Sequence, residues 1–132
     1  MSLYQYQLKT TKNGLFNITD SVNEAVEESG IKGGIAVVYC PHTTGGITLN
    51  ENTDPDVKSD FNLGMDKFVP DLPDFKHDEG NSAAHIKSSL VGASETIIIH
   101  EGRLLLGVWQ AVYFAEFDAP RIRDFYVKII AD

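Results

Sequence analysis

The chain has 132 residues, 42% of them hydrophobic, and sets 19 acidic against 11 basic side chains for a formal net charge of −8. That length and apolar content suit one globular domain, residues 1–132, with a real core and no linker, and the acidic surplus argues against nucleic acid, whose phosphates call for clustered Lys and Arg. No apolar run approaches membrane-spanning length and the opening residues lack a basic n-region with an apolar stretch after it, while the single cysteine, Cys40, allows no internal disulfide. A soluble cytoplasmic protein with no membrane partner is the expectation.

Leu3, Tyr4, Tyr6 and Leu8 mark an opening strand, and Asn13-Gly14 reads as a turn into Leu15-Phe16-Asn17, so a β-hairpin is expected at the start. Thr19 or Ser21 then caps a helix that buries Val22, Ala25 and Val26 and stops at Gly30, with Glu24, Glu27 and Glu28 on its solvated face. Ile35 to Tyr39 is short, apolar and rich in β-branched residues, as a buried strand should be. It delivers Cys40, Pro41 and His42 to a loop, followed by Thr43-Thr44-Gly45-Gly46 and a second strand, Ile47-Thr48-Leu49.

Asp54 before Pro55 predicts a helix start, since the carboxylate accepts from free N–H groups and proline fits the first turn. Val57, Phe61, Met65 and Phe68 form its apolar stripe. Val69 to Glu79 carries two prolines and many acids and should be irregular; Asn81 or Ser82 then caps a short helix bearing His85, Ser88 and Ser89. The last third reads as strands: Thr96 to His100, an Glu101-Gly102 turn, Arg103 to Gln110, Ala111 to Phe117 and Ile122 to Ile130, paired successively and antiparallel. Helices among early strands and a late run of strands predict an α+β domain with a mixed or mostly antiparallel sheet and about three short helices.

Two polar runs stand out, PHTTGGITLNENTDPD (41–56) and HDEGNSAAHIKSSL (77–90), which together hold three of the four histidines. His85, Ser88 and Ser89 share one helix face, and His77 precedes that helix, so His42 folding in would make a three-histidine site; nothing here has zinc-finger or HExxH spacing, however. Asp54 and Asp56 could hold hydrated Mg²⁺, or simply cap a helix and favour its dipole. The Thr43–Gly46 loop could cradle an anion but lacks the lysine and spacing of a P-loop. Arg121 and Arg123 alternate on a strand and could meet phosphate oxygens, with ion pairs to Asp118 or Asp124 as the ordinary explanation. Cys40 reads as a packed residue, His100 as structural or exposed, and Trp109 and Phe114 as core or subunit contacts.

The blocks PHTTGGITLNENTDPDV, HDEGNSAAHIKSSLVGAS and GRLLLGVWQAVYFAEFDAPR resemble the YjbQ-like family, also described as secondary thiamine-phosphate synthases, and the likeness spans nearly the whole chain. The resemblance implies a compact α+β fold on a β-sandwich-like sheet, a homotrimer, and thiamine-phosphate-synthase activity, a transferase reaction joining a pyrimidine-methyl diphosphate to a thiazole phosphate with release of diphosphate. Its polar blocks fall on His42, Thr43, Asn50, Glu51, Asp54, Asp56, His77, Glu79, Asn81, His85, Ser88, Gln110 and Arg121; Ala83 departs, standing where relatives often carry an acid.

On that reading His42, His77 and His85 hold a divalent metal, Zn²⁺ or Mn²⁺ being favoured by imidazoles and Mg²⁺ by carboxylates with diphosphate. Arg121 and the ion take up charge on the departing diphosphate, while Glu51, Asp54 or Glu79 hold the ion or face positive charge at the reacting carbon. Thr43, Asn50, Asp56, Asn81, Ser88 and Gln110 line the pocket of a phosphorylated small-molecule substrate. Metal-assisted hydrolysis of a phosphorylated small molecule and a noncatalytic trimeric ligand-binding module are the alternatives.

Overall fold

A computed structural model describes residues 2–132. Its elements in chain order are β1 (Leu3–Thr10), β2 (Gly14–Asn17), α1 (Thr19–Ser29), β3 (Gly34–Tyr39), β4 (Gly45–Glu51), α2 (Pro55–Phe68), α3 (Ser82–Val91), β5 (Ser94–His100), β6 (Arg103–Leu104), β7 (Gln110–Glu116) and β8 (Arg121–Ala131). The strands form a five-stranded sheet, β1-β8-β3-β5-β6, and a three-stranded sheet, β2-β7-β4. Every pairing is antiparallel. This is the expected α+β class, a single domain built as a sandwich of two sheets.

Side-chain alternation decides the layers. Along β8, Arg123, Phe125, Val127 and Ile129 point inward and are buried, and across from them β7 contributes Val112, Phe114 and Glu116. Ala36, Val38, Ile47, Ile97 and Ile99 fill the space between the sheets, and α1 closes the core with Val22, Ala25 and Val26. The opposite face of β7, with Ala111, Tyr113 and Ala115, belongs to a second cluster with Leu15, Ala84 and Phe117, covered by Phe61, Met65 and Val91 from α2 and α3. Both faces of β7 are therefore buried, which is why Ala111 to Ala115 is a continuous apolar run.

Three readings of local pairing need correction. β1 and β2 are not a hairpin: β1 pairs with β8 and β2 with β7, so the residues between them carry the chain from one sheet to the other. Of the late strands only β5 and β6 pair in succession, antiparallel as expected; β7 instead lies between β2 and β4, and β8 between β1 and β3. Of Arg103 to Gln110 only Arg103–Leu104 and Gln110, which opens β7, are strand; the connection between them leaves Val108 93% and Trp109 62% exposed. Local β propensity is shared by edge, central and unpaired segments, so partner choice is a tertiary matter.

Helix ends also differ. Asp54 caps α2 as expected, its side chain accepting from the Asp56 N–H at 2.9 Å with Pro55 in the first turn. Neither Thr19 nor Ser21 caps α1; Asn17 Oδ1 accepts from Thr19 N–H and hydroxyl at 3.0 and 2.6 Å. Asn81 holds the N-cap position of α3 but makes no side-chain cap bond. The stripe on α2 is shallow: Phe61 and Met65 are half-buried and Phe68 is 76% exposed.

Candidate functional site

The β3 strand ends where its chemistry changes. In the β3–β8 register Tyr39 opposes Tyr126, so continuation would set Pro41, which has no N–H, opposite Asp124. The chain instead turns away, and the His42 ring takes over: its Nε2 accepts the Asp124 backbone N–H at 2.8 Å. An accepting Nε2 places the proton of the neutral ring on Nδ1. Burial, reinforced by the charge of Arg123, holds His42 below the ordinary imidazole range against the opposing pull of Asp124 and Glu116.

Behind His42 lies a buried polar core. Arg123 on β8 donates from Nε to Glu116 Oε1 at 2.7 Å and from Nη2 to Glu116 Oε2, and Nη2 also reaches Thr44 Oγ1 at 2.9 Å and Thr44 O at 3.2 Å. Thr10 hydroxyl and Asp118 N–H donate to the same carboxylate at 2.7 and 2.9 Å. Burial would raise the Glu116 carboxyl, but these hydrogen bonds and the guanidinium charge outweigh it and lower its pKa.

Nearer the surface, Asp118 joins two elements. Its Oδ2 accepts from Asn81 Nδ2 at the start of α3 and from Arg121 Nη2 on β8, both at 2.9 Å. Burial alone would raise its carboxyl; the Asn81 and Arg121 bonds lower it instead. This explains the empty cap role: the Asn81 amide is turned to Asp118 rather than to its helix. Asn81 Oδ1 is buried without a hydrogen-bond partner. The His77 and His85 rings meet edge-to-face with centroids 5.2 Å apart, Gly80 turning the chain between them with its N–H on His77 O at 3.1 Å.

These groups line one polar cavity of about 420 Å³, formed by His42, Thr43, Thr44, His77, Glu79, Asn81, His85, Asp118, Arg121, Ile122 and Arg123. Of the residues expected at the site, His42, Thr43, His77, Glu79, Asn81, His85 and Arg121 are brought together here. Asn50, Glu51, Asp54, Asp56, Ser88 and Gln110 do not line it. β4 explains most of the separation: Gly45 pairs with Glu116 beside the cavity while Glu51 pairs with Gln110, six residues and roughly 20 Å along the strand. At that far end Glu51 accepts from Asp54 N–H at 3.2 Å, Asn50 Oδ1 from Glu51 N–H at 2.8 Å and Gln110 Oε1 from Gly107 N–H at 2.8 Å. Ser88 donates to Gly45 O at 2.6 Å and fastens α3 to β4.

The comparisons with known proteins decide the family. A family model described as UPF0047 protein YjbQ-like matches residues 4–132. The chain belongs to the YjbQ-like UPF0047 family. A UPF0047 protein of Methanocaldococcus jannaschii is 57% identical over 98% of this chain and 95% of its own length, and YugU of Bacillus subtilis is 52% identical over 94% and 96%. The crystal structure of a YjbQ/UPF0047 protein from Clostridium acetobutylicum superposes with a TM-score of 0.94 at 55% identity, covering 96% of this chain and 99% of that one. A YbjQ-like protein of unknown function from Sulfolobus solfataricus gives 0.93 at 30% identity over 98% and 96%.

The comparisons correct the functional expectation. These relatives carry family designations alone, and none is described as a thiamine-phosphate synthase or transferase. The metal-binding reading fails on the donor set: among the described residues no three His, Cys, Asp or Glu side chains are grouped to hold an ion. His42 has its Nε2 committed to Asp124, leaving His77 and His85 as a pair rather than a triad. The residues do not fit the divalent ion that the sequence suggested.

Thr44, Asp118, Ile122 and Arg123 complete the cavity beyond the expected set. Asp118 is the ion-pair partner anticipated for Arg121, at 2.9 Å, but Arg123 pairs with Glu116 rather than Asp118 or Asp124. A signal for that pair is present in the sequence: Arg123 falls in the apolar phase of β8 and Glu116 in the apolar phase of β7, two opposite charges where hydrophobes are due. Phe114 is core and His100 exposed, while Cys40 is a free packed thiol raised by burial, which disfavours the nucleophilic thiolate.

Proposed function

We propose that the cavity of His42, His77, His85 and Arg121 binds a phosphorylated small molecule, without a metal ion and with the oxyanion held by hydrogen-bond donors. The convergence of three imidazoles and the half-exposed Arg121 guanidinium on one 420 Å³ space, in a chain of net charge −8, carries this reading. Arg121 is half-exposed and donates from Nη2 to Asp118 Oδ2 and from Nε to the Asp118 carbonyl, two bonds that fix its guanidinium in the lining of the cavity. His42 contributes an Nδ1–H whose tautomer is set by Asp124, and Asn81 Oδ1 is an acceptor that a ligand hydroxyl or amine would satisfy.

Titration with glycerol phosphate, followed by amide and imidazole NMR signals, tests the assignment. Thr44, His77, His85 and Ile122 signals should shift, and Arg121→Gln and His85→Gln should each weaken binding by on the order of tenfold. Unchanged spectra, or unchanged affinity in both variants, refute it.

Assembly is proposed separately, as a homotrimer. Leu105, Val108 and Trp109 on the β6–β7 connection and Ile98 on β5 are large apolar side chains left exposed by the single chain. Light scattering that returns the mass of one chain at working concentration would exclude it. No helix is long and apolar enough to cross a membrane, and the cytoplasm is the proposed setting because its reducing conditions keep the lone Cys40 a thiol.

A further inference from the structure

We infer a second small-molecule site, for a compact oxyanion, between β2 and the start of α2. A cavity of about 410 Å³ lies there, bounded by the β1–β2 connection, the strand Gly14–Asn17 and the first two turns of α2. Its volume is within the ordinary range of ligand pockets. It shares no lining residue with the histidine cavity.

The lining of this cavity runs against the net charge of the chain. Lys12 and Lys58 both line it and no carboxylate does, although acids outnumber bases by 19 to 11 in the chain. Asp54 and Asp56 are near in sequence, but Asp54 is turned to its own helix, accepting from Asp56 N–H at 2.9 Å, and neither lines the cavity. Among the described residues neither lysine is in an ion pair; Lys58 Nζ stands over the Tyr113 ring, 5.5 Å from its centroid. The two ammonium groups thus have donor capacity without an acid to take it.

The third donor is Asn62. Asn13, Asn17 and Ser59 also line the cavity, yet each is spent on the fold, with Asn13 Nδ2 on Phe117 O, Asn17 Nδ2 on Asn52 Oδ1 and Ser59 hydroxyl on Asp56 O. Among the described residues the half-buried Asn62 amide makes no such bond, and it rests over Gly14, where a Cβ would come within 2.9 Å of Nδ2. Gly14 also has φ +137°, a conformation that L side chains rarely adopt. The glycine lets the amide lie against the strand, in a lining it shares with the two lysines. Two ammonium groups and one amide around a small space match a phosphate or a polycarboxylate, the shared chemistry being clustered anionic oxygens.

Titrating the full chain with inorganic phosphate and, separately, with citrate tests this. Amide signals of Gly14, Phe16 and Ser59 and the side-chain NH₂ signals of Asn62 should shift with one or both anions, and the stronger of the two responses identifies the oxyanion class. Lys12→Gln with Lys58→Gln should weaken binding there by on the order of tenfold per lysine, and these surface changes leave the fold and the histidine cavity in place. Arg121→Gln should leave the Gly14 and Asn62 response intact, which separates this site from the one proposed above. No response at these signals to either anion, or an undiminished response in the double lysine variant, overturns the proposal.

Discussion

Arg123 and Glu116 face each other across the two sheets, 4% and 0% exposed, and their side chains close on one another in a bidentate pair that also holds Thr44 and Thr10. Arg123 lines the histidine cavity, and the pair behind it is a bolt between β7 and β8. Removing one partner leaves the other buried and charged, so Arg123→Met should lower unfolding free energy by about 3–5 kcal/mol. Replacing both, with Glu116→Leu and Arg123→Met together, should recover much of that loss. Urea denaturation of the two variants measures the difference, and equal destabilisation by the single and double changes would contradict the pairing.

Acid should weaken the fold in two stages. His42 is held below its ordinary value, chiefly by burial and then by Arg123, so the unfolded chain takes up a proton more readily than the folded one. Its contribution is complete above the unfolded imidazole value of about 6.5 and is lost as pH falls from there through the folded value. Glu116 and Asp118 are also lowered, their hydrogen bonds overcoming burial, so their contributions are complete above about 4–4.5 and are lost only in stronger acid. Denaturation midpoints between pH 8 and 5 should fall more steeply for the wild type than for His42→Gln; parallel slopes would sink the assignment to His42.

Asp54 and Asn81 occupy equivalent places at helix starts and should fail differently. Asp54→Ala removes a real cap bond and should cost about 1 kcal/mol, seen as earlier exchange of the first-turn amides of α2. Asn81→Ala removes no cap bond but frees Asp118 from α3, so its effect should appear as shifted Arg121 and His85 signals. Loss of α3 helicity in Asn81→Ala without change at Arg121 would reverse the two roles.

Phe114 and Phe68 give a packing contrast. Phe114 is fully buried between the sheets, and Phe114→Ala should cost about 3–5 kcal/mol. Phe68 projects from the end of α2, and Phe68→Ala should change single-chain stability by no more than about 0.5 kcal/mol. Thermal unfolding at low protein concentration compares them, and a large loss on Phe68→Ala would show that α2 is covered in the working assembly.

The local elements were legible because their signals are short-range. Val22, Ala25 and Val26 at helical spacing, Asp54-Pro55 at a helix start, and the β-branched run Ile35 to Val38 need nothing beyond their neighbours to declare a helix face, a cap and a strand. The density of histidines around 77–85 likewise marked a polar site, and His42, Glu79 and Arg121 do converge on it.

Partner choice was not legible. Asn13-Gly14 has the chemistry of a hairpin turn, yet β1 finds β8 more than a hundred residues later, because apolar alternation determines which face of a strand is buried and not which strand lies beside it. The same limit divided the site. Glu51 and Thr43 are close in sequence but lie toward opposite ends of β4, while Asp118 and Asn81 are far apart in sequence and share a hydrogen bond. The class of fold and the residues polar enough to act follow from the order of amino acids. Which of them meet is settled by strand pairing, since a strand separates near neighbours by about 3.3 Å per residue while sheet pairing brings distant ones within hydrogen-bond reach.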